Sequence, residues 1–281
     1  DYELLEMLKK ITYFEGLGSL HDKAQRISNL ASHLKVIFDF SFKDIFKRIF
    51  LISKCDLTTE MVKEFTSLQG VVGSYYSRSQ GYSTMESDAL TEQYKPISAK
   101  DFCPKSELSI CLSLANKIDD IVGAFLIGKK PTGSKDPYGL RRSALGIIRI
   151  LLENKIDFNL YKILNYSSSL YLHESSKKKY ILDEITIFIT VRMVGYFQSI
   201  GIRQDFINSI IKIDQLNPYI ILNSKPDDDI QTIRKRYLKL SKEHHPDLLI
   251  SKGIPIEVID ESKKKMRAIN SAWSQIQKLK A

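Results

Sequence analysis

Cysteine is scarce and unpatterned in this chain: Cys55, Cys103 and Cys111 are the only three in 281 residues. They are odd in number and widely spaced, with no C-x-x-C or Cys/His ligand spacing, which excludes a disulfide scaffold and a structural zinc site. Reduced thiols in a cytosolic protein are expected. No run of eighteen apolar residues occurs, and the opening Asp1-Tyr2-Glu3-Leu4-Leu5-Glu6 has neither a basic n-region nor an apolar core. The reading is therefore of a chain that neither crosses nor enters a membrane, placed in the cytoplasm. The first residue is not Met, as expected of a fragment or a processed chain with further motifs upstream. Strand patterns are few, and there is no internal repeat or low-complexity segment.

What the chain has instead is helical periodicity. Leu4, Leu5, Leu8 and Ile11 recur at helical spacing, as do Ile27, Leu30, Ala31 and Leu34, then Ile45, Ile49 and Ile52, then Leu108, Cys111, Leu112, Ala115 and Ile118. Breaks fall at Gly16 to Gly18, Gly70 to Gly81, Lys95-Pro96, 128 to 137, and Ser167 to Lys179. The expected fold is all-α. With 43% hydrophobic residues the length suits two domains. The net charge of +9 divides unevenly at Gln215, with +4 on residues 1–215 and +5 on the much shorter 216–281. Such a balance suits a polyanionic or acidic partner.

Between Gly128 and Arg149 lies a basic loop leading into a helix. Asp136 is expected at the N-cap and Pro137 at the first helical position, which would leave backbone N–H groups pointing outward. Lys129, Lys130, Lys135, Arg141, Arg142 and Arg149 cluster there with Asp136 as the single acid, so the site is a candidate for a phosphate backbone. The alternative is a solvated basic helix face. The stretch Gly123 to Lys130 almost spells a nucleotide loop. Lys130 stands where the magnesium-binding hydroxyl belongs, Pro131 where the helix should start, and the preceding segment is helical, so that reading is rejected.

Two acidic groupings also stand out. Asp56, Glu60 and Glu64 are spaced to share one helix face; they are read as a cap and surface pairs rather than a cation site, because hard cations need several converging oxygens. His21-Asp22, with Asp119 and Asp120, is similar to the ligand set of metal phosphohydrolases, but His33 is the one other nearby histidine and the set is incomplete. No metal site is expected.

Three blocks resemble the beta subunit of the bacterial two-subunit glycyl-tRNA synthetase, in that family's order. They are Leu17-Gly-Ser-Leu-His-Asp-Lys-Ala-Gln-Arg-Ile27; Lys54-Cys-Asp-Leu-Thr-Thr-Glu-Met-Val-Lys-Glu-Phe-Thr-Ser-Leu-Gln-Gly70 through Tyr75-Tyr76; and Leu114-Ala-Asn-Lys-Ile-Asp-Asp-Ile-Val-Gly123 into Pro131-Thr-Gly-Ser-Lys-Asp-Pro-Tyr-Gly-Leu-Arg-Arg142. Phe188 to Met193 and Gly201 to Asn208 fit later helices of that family. The resemblance implies an HD-like helical region over residues 1–215 without phosphohydrolase activity, which contributes tRNA(Gly) binding and subunit assembly. Glycine activation would belong to the alpha subunit. The chain has no adenylate-forming motif and no catalytic residue of its own, and ATP and magnesium enter only through a partner. His21 stands where a tyrosine is expected and Asn116 where an aspartate is usual, so the His21-Asp22 pair is read as fortuitous.

Residues 216–281 carry different signals. Asp227, Asp228 and Asp229 start a basic helix whose stripe is Ile230, Ile233, Tyr237 and Leu240, with Arg234, Lys235, Lys239 and Lys242 largely off it. The helix must stop at Pro246, displaying His245 and Asp247 on a turn. A third helix, about 257–280, offers Met266, Ile269, Ala272, Trp273 and Ile276 to the same core. This constellation resembles a J domain of the DnaJ family, and its long Leu248 to Ile259 connection is similar to the DjlA-like version. The resemblance implies that His245, Pro246, Asp247 and the basic helix engage a DnaK-type chaperone and stimulate its ATPase. Arg236 departs from the alanine frequent there. The alternatives are a plain helical hairpin with a basic face or, for the whole chain, a co-chaperone whose synthetase-like region is a scaffold or targeting module.

Overall fold

The computed structural model describes residues 2–131, 136–171, 178–203, 218–222, 224, 228–243 and 256–280. Thirteen α-helices are found among them. In chain order they are α1 (Tyr2–Leu8), α2 (Leu20–Ile37), α3 (Arg48–Leu51), α4 (Glu60–Glu64), α5 (Val71–Ser79), α6 (Thr84–Glu92), α7 (Glu107–Leu126), α8 (Leu140–Glu153), α9 (Leu160–Ser169), α10 (Lys178–Ser199), α11 (Pro218–Ile221), α12 (Ile230–Glu243) and α13 (Ile256–Lys280). The fold is all-α, as expected. One departure is a two-stranded antiparallel hairpin, β1 (Thr12–Phe14) with β2 (Gly18–Ser19), at a place where the sequence suggested only a break. Gly16 and Gly18 sit at φ 87° and 83°, so this turn needs glycine's freedom in the left-handed region.

The chain divides into two compact units, residues 1–193 and 194–281, with the division inside α10. The charge and motif boundary at Gln215 falls among residues outside those described.

In the first unit α7 is the organising element. It is buried around nearly its whole circumference, and α2, α6, α8 and α9 pack on it. That is what a helix reads like when hydrophobic positions outnumber a single stripe. Ser106 starts it, accepting a hydrogen bond from the Ser109 N–H. Helix α2 starts at a reciprocal capping box in which Ser19 and Asp22 satisfy each other's backbone N–H groups. Its face Ile27, Leu30, Ala31 and Leu34 is fully buried. Ile45, grouped with Ile49 and Ile52 by spacing, is 61% exposed because that segment is a 3₁₀ turn followed by the single helical turn α3. All three cysteines are free and buried.

In the second unit Tyr219, Leu222, Ile233, Ile269, Ala272 and Ile276 form one core, flanked by Tyr237, Leu240 and Trp273. Tyr237 stacks on Trp273 with ring centroids 5.1 Å apart. Ile230, expected in the stripe, is instead half exposed at the first position of α12.

Candidate nucleic-acid interface

The acidic groupings resolve first, since they decide what the centre of the first unit can do. Asp56, Glu60 and Glu64 do not share a helix. Asp56 lies in a 3₁₀ turn, buried, and accepts a hydrogen bond from the Gly70 N–H; Thr59 caps α4, and Glu60 pairs with Lys63 at 2.7 Å on the surface. Three carboxylates spaced for one face are thus split between a buried turn and a short exposed helix. Asp22 is consumed by the α2 capping box.

Asp119 and Asp120 of α7 meet cations, not histidines. Lys23 Nζ lies 3.1 Å from Asp119 Oδ2 and 2.6 Å from Asp120 Oδ1, and Arg26 Nε lies 2.8 Å from Asp119 Oδ1. The spacing of Lys23 and Arg26 on α2 puts both on its buried face. Tyr171 Oη donates to Asp119 Oδ1 at 2.7 Å and Tyr13 Oη to Asp120 Oδ1 at 2.7 Å. Arg26 Nη1 also reaches the Leu17 carbonyl, and its guanidinium lies over the Tyr171 ring at 4.3 Å. Burial alone would raise the Asp119 carboxyl, but Lys23 and Arg26 outweigh it and hold it below the usual carboxylate range. A divalent cation needs uncompensated oxygen charge. Here two fixed cations already neutralise the pair, so these residues do not fit the metal of an HD-type phosphohydrolase. Among the described residues no other group of His, Cys, Asp and Glu is arranged to hold one.

The basic connection between α7 and α8 separates into surface and interior. Lys129 is exposed, with its ammonium 5.3 Å from the Phe14 ring centroid and 5.8 Å from that of Tyr138. Those two rings meet edge to face at 5.0 Å, and Tyr138 is 40% exposed. Arg142 is exposed and folds back over the turn at Gly139, where a Cβ would come within 2.8 Å of its Nη2. Arg141 is half-buried beside them. Lys135 lies outside the described residues.

Two members of the expected cluster have other work. Lys130 is clamped to Glu184 of α10 at 2.7 and 2.9 Å. Arg149 is only 7% exposed: it donates to the Ser98 and Asp101 carbonyls and pairs with Glu153 at 2.7 Å, which ties α8 to the loop before α7. The helix start differs too. Helix α8 begins at Leu140 after Gly139, and Asp136 caps it from outside by accepting from both the Leu140 and Arg141 N–H groups at 2.9 Å. The carboxylate of Asp136 therefore occupies the place an external anion would take, and the attraction here rests on side-chain cations.

One cation escaped the sequence reading. Arg192 of α10 stacks over Phe188 at 3.6 Å, and its buried Nε has no hydrogen-bond partner among the described residues. Burial, reinforced by Arg141 and opposed by Asp136, lowers its pKa to about 10, so it is electrostatically coupled to the α8 start. No local motif marks it, because sequence spacing cannot show that α10 returns to the α8 start.

On the second unit Arg234, Lys235, Lys239 and Lys242 are all exposed along α12. Lys239 lies 4.0 Å from Glu243 one turn on, and the half-buried Arg236 pairs with Asp228. His245, Pro246 and Asp247 lie outside the described residues.

Fold and site together define a class: an all-helical domain whose central carboxylates are held by cations, with an exposed cation and aromatic cluster at the start of one helix. The glycyl-tRNA synthetase beta subunit family model matches residues 2–212, and the chain belongs to that family. The glycine–tRNA ligase beta subunit of Sulfurihydrogenibium sp. (strain YO3AOP1) is 39% identical over 215 residues, covering 76% of this chain and 29% of that protein. That of Acinetobacter baylyi is 37% identical over 213 residues, covering 76% and 31%. The beta subunit of Buchnera aphidicola subsp. Schizaphis graminum is 33% identical over 268 residues and covers 93% of this chain, so its match continues past residue 216. The chain spans about a third of the length of these relatives. Among the described residues no helix is long and apolar enough to cross a membrane.

Proposed function

We propose that the first unit is the tRNA-holding region of a glycine–tRNA ligase beta subunit, acting in the cytoplasm on tRNA(Gly) beside a glycyl-tRNA synthetase alpha subunit. The alpha subunit supplies the adenylate chemistry with its ATP and magnesium. The observation that carries this reading is the cluster of Lys129, Arg141, Arg142, Arg192 and Tyr138 within the matched residues 2–212. The exposed Lys129 and Arg142 draw the phosphate backbone by counterion release, the half-buried Arg141 and Arg192 add to the positive field, and the exposed Tyr138 ring offers a stacking face. The cation-filled centre beneath has a structural part: it fixes α2, α7 and the hairpin that carries Phe14.

The test is a salt series of tRNA(Gly) binding. Replacing Lys129, Arg141 and Arg142 together with glutamine should weaken binding and lower the slope of log K against log salt by roughly one per lost phosphate contact. An unchanged slope would remove the assignment of this surface.

For residues 216–281 the reading is a J domain that engages a DnaK-type chaperone and accelerates its ATP hydrolysis. It is supported by α11, α12 and α13 sharing one core while α12 turns its cations outward. His245, Pro246 and Asp247 with Arg234, Lys235, Lys239 and Lys242 would form the chaperone contact. A second reading, favoured by the Buchnera match running past residue 216, makes this segment a continuation of the synthetase subunit. Single-turnover ATP hydrolysis by a DnaK-type partner separates them. Stimulation that His245→Gln abolishes supports the J domain, and equal rates with and without the chain support the continuation.

A further inference from the structure

Helices α2 and α9 bring two rings together on the first unit, away from any part assigned above. His33 and Tyr166 stack with centroids 3.8 Å apart and planes 13° from parallel. They line an open pocket of about 810 Å³ with Phe38, Asp157, Phe158, Lys162 and Asn165. That volume lies in the range of small-molecule sites. Among the described residues the Tyr166 hydroxyl, the Asn165 amide, the Lys162 ammonium and the Asp157 carboxylate make no hydrogen bond or ion pair. Burial lowers the His33 pKa, so the imidazole joins the stack uncharged at neutral pH.

We propose that this pocket receives one unpaired nucleobase of a bound RNA. The inference rests on the reading of the first unit as tRNA-binding and names where one base goes. Single-stranded RNA is recognised by stacking unpaired bases on aromatic side chains and hydrogen-bonding their edges. An outer face of the His33–Tyr166 stack supplies the flat aromatic wall, since the inner faces cover each other. Asn165 supplies a donor and an acceptor, Asp157 an acceptor for an amino or imino edge, and Lys162 a cation for the flanking phosphate. The mixture argues against an acyl chain, which needs a closed apolar cavity, since this pocket opens to solvent and has Asp157, Lys162 and Asn165 in its lining.

The test uses the full chain with a short single-stranded oligoribonucleotide that carries one 2-aminopurine, and with tRNA(Gly) alongside. Stacking should quench the fluorophore on binding. Tyr166→Ala should remove the quenching and weaken binding on the order of fivefold to a hundredfold, whereas Tyr166→Phe should retain both. Asn165→Ala, at an exposed position, decides the matter should Tyr166→Ala fail to fold: a several-fold loss of affinity supports the pocket. Binding of the oligonucleotide without quenching, or with equal affinity in Asn165→Ala, overturns the pocket and leaves salt-sensitive tRNA binding untouched. A chain that binds neither RNA overturns the pocket and the tRNA reading together.

Discussion

Lys54 is a buried cation whose hydrogen-bond partners are uncharged. It lies among Gln93 Oε1 at 2.7 Å, Tyr94 Oη at 3.1 Å and the Tyr94 ring, with no carboxylate of the described residues in hydrogen-bond contact. Burial, reinforced by Lys23, pushes its pKa down from the ordinary 10.5 to about 7, and Lys117 falls likewise to about 8. The unfolded chain therefore holds more protons on these lysines than the native one between pH 7 and 10.5, so stability rises with pH there. The buried thiols act in the opposite sense. Burial raises Cys55 and Cys103 from 9.0 to about 12, so above pH 9 the unfolded chain loses protons that the native one keeps, and stability falls. Urea unfolding should accordingly show stability rising between pH 7 and 9 by about 1 kcal/mol per pH unit and then turning over. Lys54→Met should flatten that rise; a slope identical to wild type would show that Lys54 is not the group responsible. The slope is the proper readout, because methionine leaves Gln93 Oε1 unpaired and changes the level at every pH.

At the scale of elements, Gly123 shows how α7 carries its load. A glycine in a helix interior ordinarily costs about 1 kcal/mol against alanine, so Gly→Ala should stabilise. Here a Cβ would stand 2.7 Å from Tyr171 Oη and 3.0 Å from Leu17 Cδ1, and that hydroxyl is the one bonded to Asp119. Gly123→Ala should therefore destabilise by about 1–3 kcal/mol, the cost of overpacking a filled site. Gly195→Ala in α10, where a Cβ meets nothing within 4 Å, should move stability the other way. Urea midpoints of the two variants check the pair; a shift of the same sign in both would mean that helix propensity alone decides. Much of this layer was legible in the sequence. The stripe Ile27 to Leu34 and the run Leu108 to Ile118 name the buried faces of α2 and α7, because apolar periodicity is a local signal. Residues that act across distance were not. Nothing in the sequence singles out Lys23 and Arg26 before α7 sets Asp119 against them, and Arg149 read as a phosphate contact until the loop at Ser98 and Asp101 closes on it. Asp136 was legible as a helix cap by type but not by register, since a capping side chain three residues ahead of Gly139 has the same sequence signature as an N-cap.

For the whole molecule the question is what the two units owe each other. Each has its own buried set: α2, α7 and their neighbours around Asp119 in the first, and Ile233, Ile269, Ala272 and Ile276 in the second. A unit with its own core can lose that core alone, because the apolar burial that stabilises it is internal. Ile233 is fully buried on α12, and Ile233→Asp would place an uncompensated charge there, at a cost large against the stability of so small a core. Hydrogen exchange on this variant should show amides of α12 and α13 exchanging near the unfolded rate, while those of α2 and α7 keep their protection. Salt-sensitive tRNA(Gly) binding should persist in the same sample, since its cations all lie before residue 194. Loss of protection throughout the chain would instead make the second unit an integral part of the first, and would favour the continuation of the synthetase subunit over an appended J domain.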